Sequence, residues 1–313
     1  MPGTVADRLL LTRGSAMALF AGLCCASILT GTASPDWLTF IASRLPRLIS
    51  VALTGIGLSV CGVILQQIVR NRFVEPATSG GMDAAKLGLL IALTMAPAAP
   101  PLGRMGFAFA FSLVANLGFV AIVRRMPRHG AVLVPVIGLI YGAVLSAVAE
   151  FYAYRHNMLQ SMAGWLLGDF SRIVQGRYEI VYLILPIVAL AYFYAHRFTM
   201  LGLGEHMATS LGLNHRATAA IGLLLVAVTI SATIVTVGAI PFVGLVVPNL
   251  VALRHGENLA RTLPIVALSG ASMLLACDIV GRLILFPYEV PIGLTAGAVG
   301  GVLFLLLILR WRR

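Results

Sequence analysis

Charge is scarce in this chain. Of its 313 residues only 11% are Asp, Glu, Lys or Arg, against roughly 25% in soluble domains. A soluble fold of this length cannot hide the 59% of positions that are hydrophobic. Short alternating segments that would build a lipid-facing barrel, about 10 residues each, are missing as well. What remains are long continuous apolar runs, and in a bilayer such runs must be helices. Cysteine is also sparse. Cys24, Cys25, Cys61 and Cys277 all stand inside apolar runs, and no CxxC pair occurs. That excludes a disulfide framework and a thiolate metal centre and leaves small packing residues. GxxxxGK[ST], HExxH and GxSxG are absent, so the chain has no phosphate loop, and neither a catalytic residue nor a metal ligand is assigned. No basic stripe with interleaved aromatics exists, so the net charge of +11 does not indicate nucleic acid.

The fold class that follows is an all-α, polytopic membrane protein. About ten spans are expected, at 14–31, 47–69, 80–97, 105–124, 131–153, 178–196, 216–238, 240–254, 264–284 and 292–310. The third opens on Ser79-Gly80-Gly81, and the eighth is short and framed by Pro241 and Pro248. Such residues at membrane depth mark broken or shortened helices. The first run follows Arg8 and Arg13 and reads as a retained span rather than a cleaved leader. With the spans alternating, arginines crowd the side that also holds both termini, which places the termini in the cytoplasm. Loops are short, so the whole of 1–313 is one membrane domain.

Charges inside spans are expensive and are candidates for function. Asp83 and Lys86 stand three apart on the third span, where they share a helix face and can neutralise each other. Asp278 and Arg282 stand four apart on the ninth. Either pair could also be a structural ion pair that lets its helix insert. Between the sixth and seventh spans, the segment 204–213 has helical composition at Glu205–Leu211 and a C-capping glycine at Gly212. A helix this short needs a partner or a surface. Energy for uphill transport would come from an ion gradient or from a separate ATPase. In the first case Asp83, Lys86 and Glu150 would be the ion relay.

Several stretches, in order, resemble one family. They are Arg44-Leu45-Pro46-Arg47, then Gly62 and Gln66, then Arg70-Asn71-Arg72-Phe73-Val74-Glu75-Pro76. After the Glu205–Asn214 loop come Phe242-Val243-Gly244-Leu245-Val246-Val247-Pro248, Ala276-Cys277-Asp278-Ile279-Val280-Gly281-Arg282 and Glu289-Val290-Pro291-Ile292-Gly293. Together they resemble the FecCD family, the permeases of ATP-binding-cassette (ABC) importers for iron–siderophores, haem and vitamin B12. The resemblance implies a non-enzymatic transmembrane permease subunit in a bacterial inner membrane. Its partners would be a second permease, two cytoplasmic ATPase subunits that hold ATP and Mg, and a periplasmic binding protein. This chain itself would carry no cofactor. It also implies that Gly204, Glu205, Ala208, Ser210, Leu211 and Gly212 form a coupling helix for the ATPase. Arg44, Arg47 and Arg282 would meet glutamates of the binding protein, with membrane-interface anchoring as the plainer alternative for the first two. Gln66, Asn71 and Phe73 would line the translocation path or its gate. Asn71-Arg72 replaces the family's frequent Asn-Pro, and Pro248-Asn249 its Pro-His. The 71–76 stretch with Gly81-Met82-Asp83 is similar to the branch serving catecholate-type siderophores such as petrobactin, enterobactin and vibriobactin. That branch usually pairs two different permeases, so a heterodimer is expected over a homodimer.

Overall fold

The computed structural model describes residues 13–30, 37, 40–126, 133–176 and 178–311. Residue 31 of the first expected span, residues 131–132 of the fifth, and the chain ends whose side of the membrane was expected to be cytoplasmic lie outside the described residues. The described chain is a multi-pass, all-helical bundle. In order the helices are α1 (Arg13–Leu29), α2 (Leu45–Val69), α3 (Gly81–Met95), α4 (Pro101–Arg124), α5 (Leu133–Arg155), α6 (Leu159–Leu166), α7 (Ile184–Phe193), α8 (Ala195–Gly202), α9 (Glu205–Ser210), α10 (His215–Thr236), α11 (Val243–His255), α12 (Leu259–Ile284) and α13 (Ile292–Trp311).

Ten expected spans become fewer full-length ones. Among the described residues, six helices are long and apolar enough to cross a membrane, and a seventh results if Glu179–Phe193 and α8, bent by 64°, count as one. The first, third and eighth expected spans correspond to α1, α3 and α11, with 17, 15 and 13 residues. At 1.5 Å per residue, α11 reaches about 20 Å, short of the roughly 30 Å hydrocarbon core. A run of apolar residues measures hydropathy but not helical continuity, and both α3 and α11 are preceded by irregular chain.

The centre of the bundle is α2, preceded by a π-helical turn at Phe40–Arg44. The best apolar window of Phe40–Val69 is 83% buried, whereas that of α5 is 17% buried. Helix α2 packs against α10, α11 and α12. Hydrophobic driving force is weak between helices in lipid, so close backbone approach at small residues must supply the contact. Gly62 shows it: a Cβ there would overlap the Gly244 carbonyl of α11. Gly55 meets α12 in the same way, its would-be Cβ lying 2.5 Å from the Gly270 oxygen.

Irregular backbone inside the bundle must find its hydrogen bonds without water. The segment 70–80 does so with its own polar side chains. Asn71 Oδ1 accepts from the Phe73 amide at 2.8 Å, and Ser79 donates to Asn116 of α4 at 3.0 Å. The same segment ties down α11. The Phe242 amide donates to the buried Glu75 side chain at 3.0 Å, which gives one of the open amides at the helix N-terminus an acceptor. Pro248 lacks the N–H that would serve the Gly244 carbonyl one turn back. The Gln66 amide of α2 supplies that bond at 3.3 Å. Asn249 adds a donor to the Arg72 carbonyl at 2.8 Å, and Arg72 pairs with Glu257.

Candidate functional site

Polar and charged side chains gather at the two ends of α2. At one end its last turn stops on Arg70, whose φ of 55° is left-handed. There it rests on the segment that holds α9. A Cβ at Gly202 would overlap the Gln67 side chain, and one at Gly204 would overlap the Arg70 guanidinium. Gly204 has φ +100°, and Gly212 beyond the other end of α9 has φ +82°. Gly212 N donates to Thr209 O and Leu213 N to Ala208 O, both at 2.9 Å. This double bond pattern with a left-handed glycine is the Schellman closure of a helix. Asn214 then caps α10 by accepting from the Ala217 amide at 3.0 Å.

Helix α9 is therefore held by its ends and by buried Ala208. Of the residues assigned to coupling, Ala208 is an internal anchor, whereas Glu205, Ser210 and Leu211 are exposed. Met207 was missed by the sequence reading. It stands 63% exposed beside Leu211 at 61%, an i,i+4 apolar pair on one face. That spacing was the available signal. Gln66, Asn71 and Arg70 line a nearby cavity of about 130 Å³ with Gln67, Asn249 and Glu257. Phe73 stands apart from it, edge-on to Phe304 of α13 at 5.9 Å.

At the opposite end, charged residues from distant parts of the chain form one row. Arg47 reaches Glu289 at 2.8 Å and Asp278 at 2.8 Å. Asp278 in turn bonds Arg282 through its second oxygen. Arg282 donates to the carbonyls of Ser27 (3.1 Å) and Thr30 (2.9 Å) and to the Ser27 hydroxyl (2.7 Å). Arg44 donates to the Ile28 carbonyl at 2.6 Å. These are the carbonyls that a helix C-terminus leaves without partners, and cationic donors suit them. Of the three arginines expected at a docking face, Arg282 is thus an interior residue that caps α1. Its side chain is 7% exposed, against 15% for that of Arg47. Arg44 and Arg47 lie nearer the surface, where Glu289 is open.

Between the two ends, Asp83 and Lys86 of α3 pair at 3.0 Å. They line a cavity of about 260 Å³. Glu150 is exposed on α5 and accepts from Ser146 at 3.2 Å.

The chain is 61% identical over 274 residues to the ferric-anguibactin transport system permease protein FatD of Vibrio anguillarum, covering 88% of this chain and 87% of that one. It is 46% identical to the petrobactin import system permease protein YclN of Bacillus subtilis, over 87% of this chain and 86% of the relative. The hemin transport system permease protein HmuU of Yersinia pestis is 31% identical, with coverage of 90% and 86%. A solved structure described as an inward-facing metal-chelate type ABC transporter superposes with a TM-score of 0.82 at 23% identity, over 95% of this chain and 98% of that one. The sequence model of the FecCD transport family matches residues 13–310, and the chain belongs to that family.

Proposed function

We propose that this chain is the permease subunit of an ABC importer that carries a ferric siderophore from the periplasm to the cytoplasm across a bacterial inner membrane. The observation that carries this reading is 61% identity along 88% of the chain to a permease named for ferric-anguibactin transport. Two relatives named for petrobactin, at 46% and 39% identity, support the same cargo class. The chain performs no hydrolysis. ATP and Mg belong to two partner ATPase subunits, and a binding protein delivers the loaded siderophore. A second, different permease completes the path. In this reading α1, α3 and α11 take the first, third and eighth places among ten passes, with both termini in the cytoplasm. Helix α9 docks on the ATPase, while Gln66, Asn71 and Phe73 stand at the inner gate.

Co-reconstitution with a second permease, ATPase and binding protein tests the reading. Uptake of ferric siderophore into proteoliposomes should require ATP inside and binding protein outside. Uptake driven by a proton gradient without ATP would instead make it an ion-coupled secondary transporter.

Arg44 and Arg47 form the docking rim for binding-protein carboxylates, with Glu289 holding Arg47 in place until the partner arrives. Such charges steer encounter and fix register more than they add affinity. Arg44→Glu should slow binding-protein association severalfold at low salt and little at 0.5 M, read by surface binding kinetics. Salt-independent association unchanged from wild type would remove Arg44 from the interface.

A further inference from the structure

We propose, resting on the importer reading, that Lys86 is a cargo-contacting residue: the Asp83–Lys86 pair lines a half-cavity through which an anionic iron chelate passes. The cavity wall otherwise comes from Ala77, Met82, Ala239, Pro241 and Gly293 with Leu167 and Leu294. These are small or apolar groups, so the ion pair is the only charge on this wall among the described residues. An ion pair meant solely to let a helix insert would be expected to turn inward and be sealed. This one is not sealed, because the side chains of Asp83 and Lys86 keep 17% and 16% of their surface. Hydrocarbon is a poor occupant for a cavity with a charged wall, so the space suits water at rest and a polar cargo in transit.

The geometry also selects the sign of the cargo. The second oxygen of Asp83 lies against α5, where a Cβ on Gly142 would come within 3.0 Å of it. The glycine makes room for the carboxylate and holds it between helices. The Lys86 ammonium spends one N–H on Asp83 Oδ1. An ammonium has three, and the other two have no partner among the described residues. Lys86 thus keeps donors to spare on the cavity wall, while one Asp83 oxygen is engaged by Lys86 and the other lies against α5. That arrangement suits an oxygen-rich anion, such as a chelate whose catecholate or carboxylate oxygens surround the iron. Charge-assisted hydrogen bonds of this kind are stronger than neutral ones, and the pair can exchange partners because Asp83 remains beside Lys86 throughout.

The test uses the complete reconstituted importer and compares Lys86→Gln, Lys86→Arg and the double variant Asp83→Asn/Lys86→Gln. ATP-driven uptake of an anionic ferric catecholate is measured beside binding-protein-stimulated ATP hydrolysis. Lys86→Arg should transport close to wild type. Lys86→Gln should lose at least about tenfold in uptake, the effect of removing a charged hydrogen bond, with hydrolysis retained. The double variant separates the two roles. If the pair only neutralises itself, removing both charges together restores uptake. If Lys86 meets the cargo, the double variant stays slow. Wild-type uptake by either Gln variant overturns the proposal. Failure of the wild-type importer to take up any ferric siderophore would instead strike at the importer reading.

Discussion

Replacing residues 205–211 by a Gly/Ser linker of equal length should leave the protein inserted and assembled but reduce siderophore uptake to background. Insertion is decided by the long apolar helices, none of which includes this segment. Helix α9 has only six residues, too few to be stable alone in water. Its shape is imposed from outside: Gly204 lies against Arg70, Ala208 is buried, and Gly212 closes the last turn. So much fixing of so short a helix leaves all of it but Ala208 outward, with Met207 and Leu211 exposed as well as Glu205 and Ser210. A partner groove that receives this surface can push on Arg70 and Gln67, and through them on the last turn of α2. The linker removes both the surface and the lever. ATP hydrolysis by the associated subunits should therefore lose its dependence on loaded binding protein. Proteoliposome uptake and hydrolysis measured on one preparation check this. Normal transport by the linker variant would sink the coupling role. Met207→Ser with Leu211→Ser, which leaves the backbone caps intact, should show the same defect in milder form.

Some of this organisation was legible in the sequence. Gly212 was readable because a helix end is a local event, and it sits where a cap must. The Asp83–Lys86 pair was readable from its spacing of three. The long-range roles were not. Gln66 stood in the sequence as a path residue, yet its amide repairs a carbonyl left open by Pro248, and the two partners of that bond are 178 positions apart. Glu75 gave no signal beyond its place in a motif, because its function is to meet the Phe242 amide from 167 positions away. Arg282 reads in the sequence as a span charge four residues from Asp278 and, by the family resemblance, as a docking residue. Its other partners belong to α1, more than 250 positions earlier. Local chemistry survives projection onto one dimension, while partnerships made by packing do not. The span count follows the same logic. Hydropathy registered the apolar character of 80–97 and 240–254, but the breaks before α3 and α11 depend on which neighbours can satisfy an unwound backbone.

Asp278→Ala should destabilise the protein by about 3–5 kcal/mol, the usual cost of removing one partner of a buried ion pair. The Asp278 side chain is 1% exposed and stands between two arginines. One of its oxygens serves Arg47 and the other serves Arg282. Without it, Arg282 keeps neutral acceptors on α1 but faces Arg47 with no interposed charge. Glu289 cannot compensate, since it is already engaged with Arg47 on the open side. The expected result is a lower melting temperature in detergent and early release of α1, whose last turn Arg282 and Arg44 hold. Asp278→Asn, which keeps oxygen and shape, should cost less. The double variant Asp278→Ala/Arg282→Met should recover part of the loss, because it removes the stranded charge although it also removes the donors that cap α1. Recovery in the double variant would show that the single variant suffers from a stranded charge rather than from a lost shape. Wild-type melting of Asp278→Ala would mean that the row of charges contributes nothing to holding α1 in place.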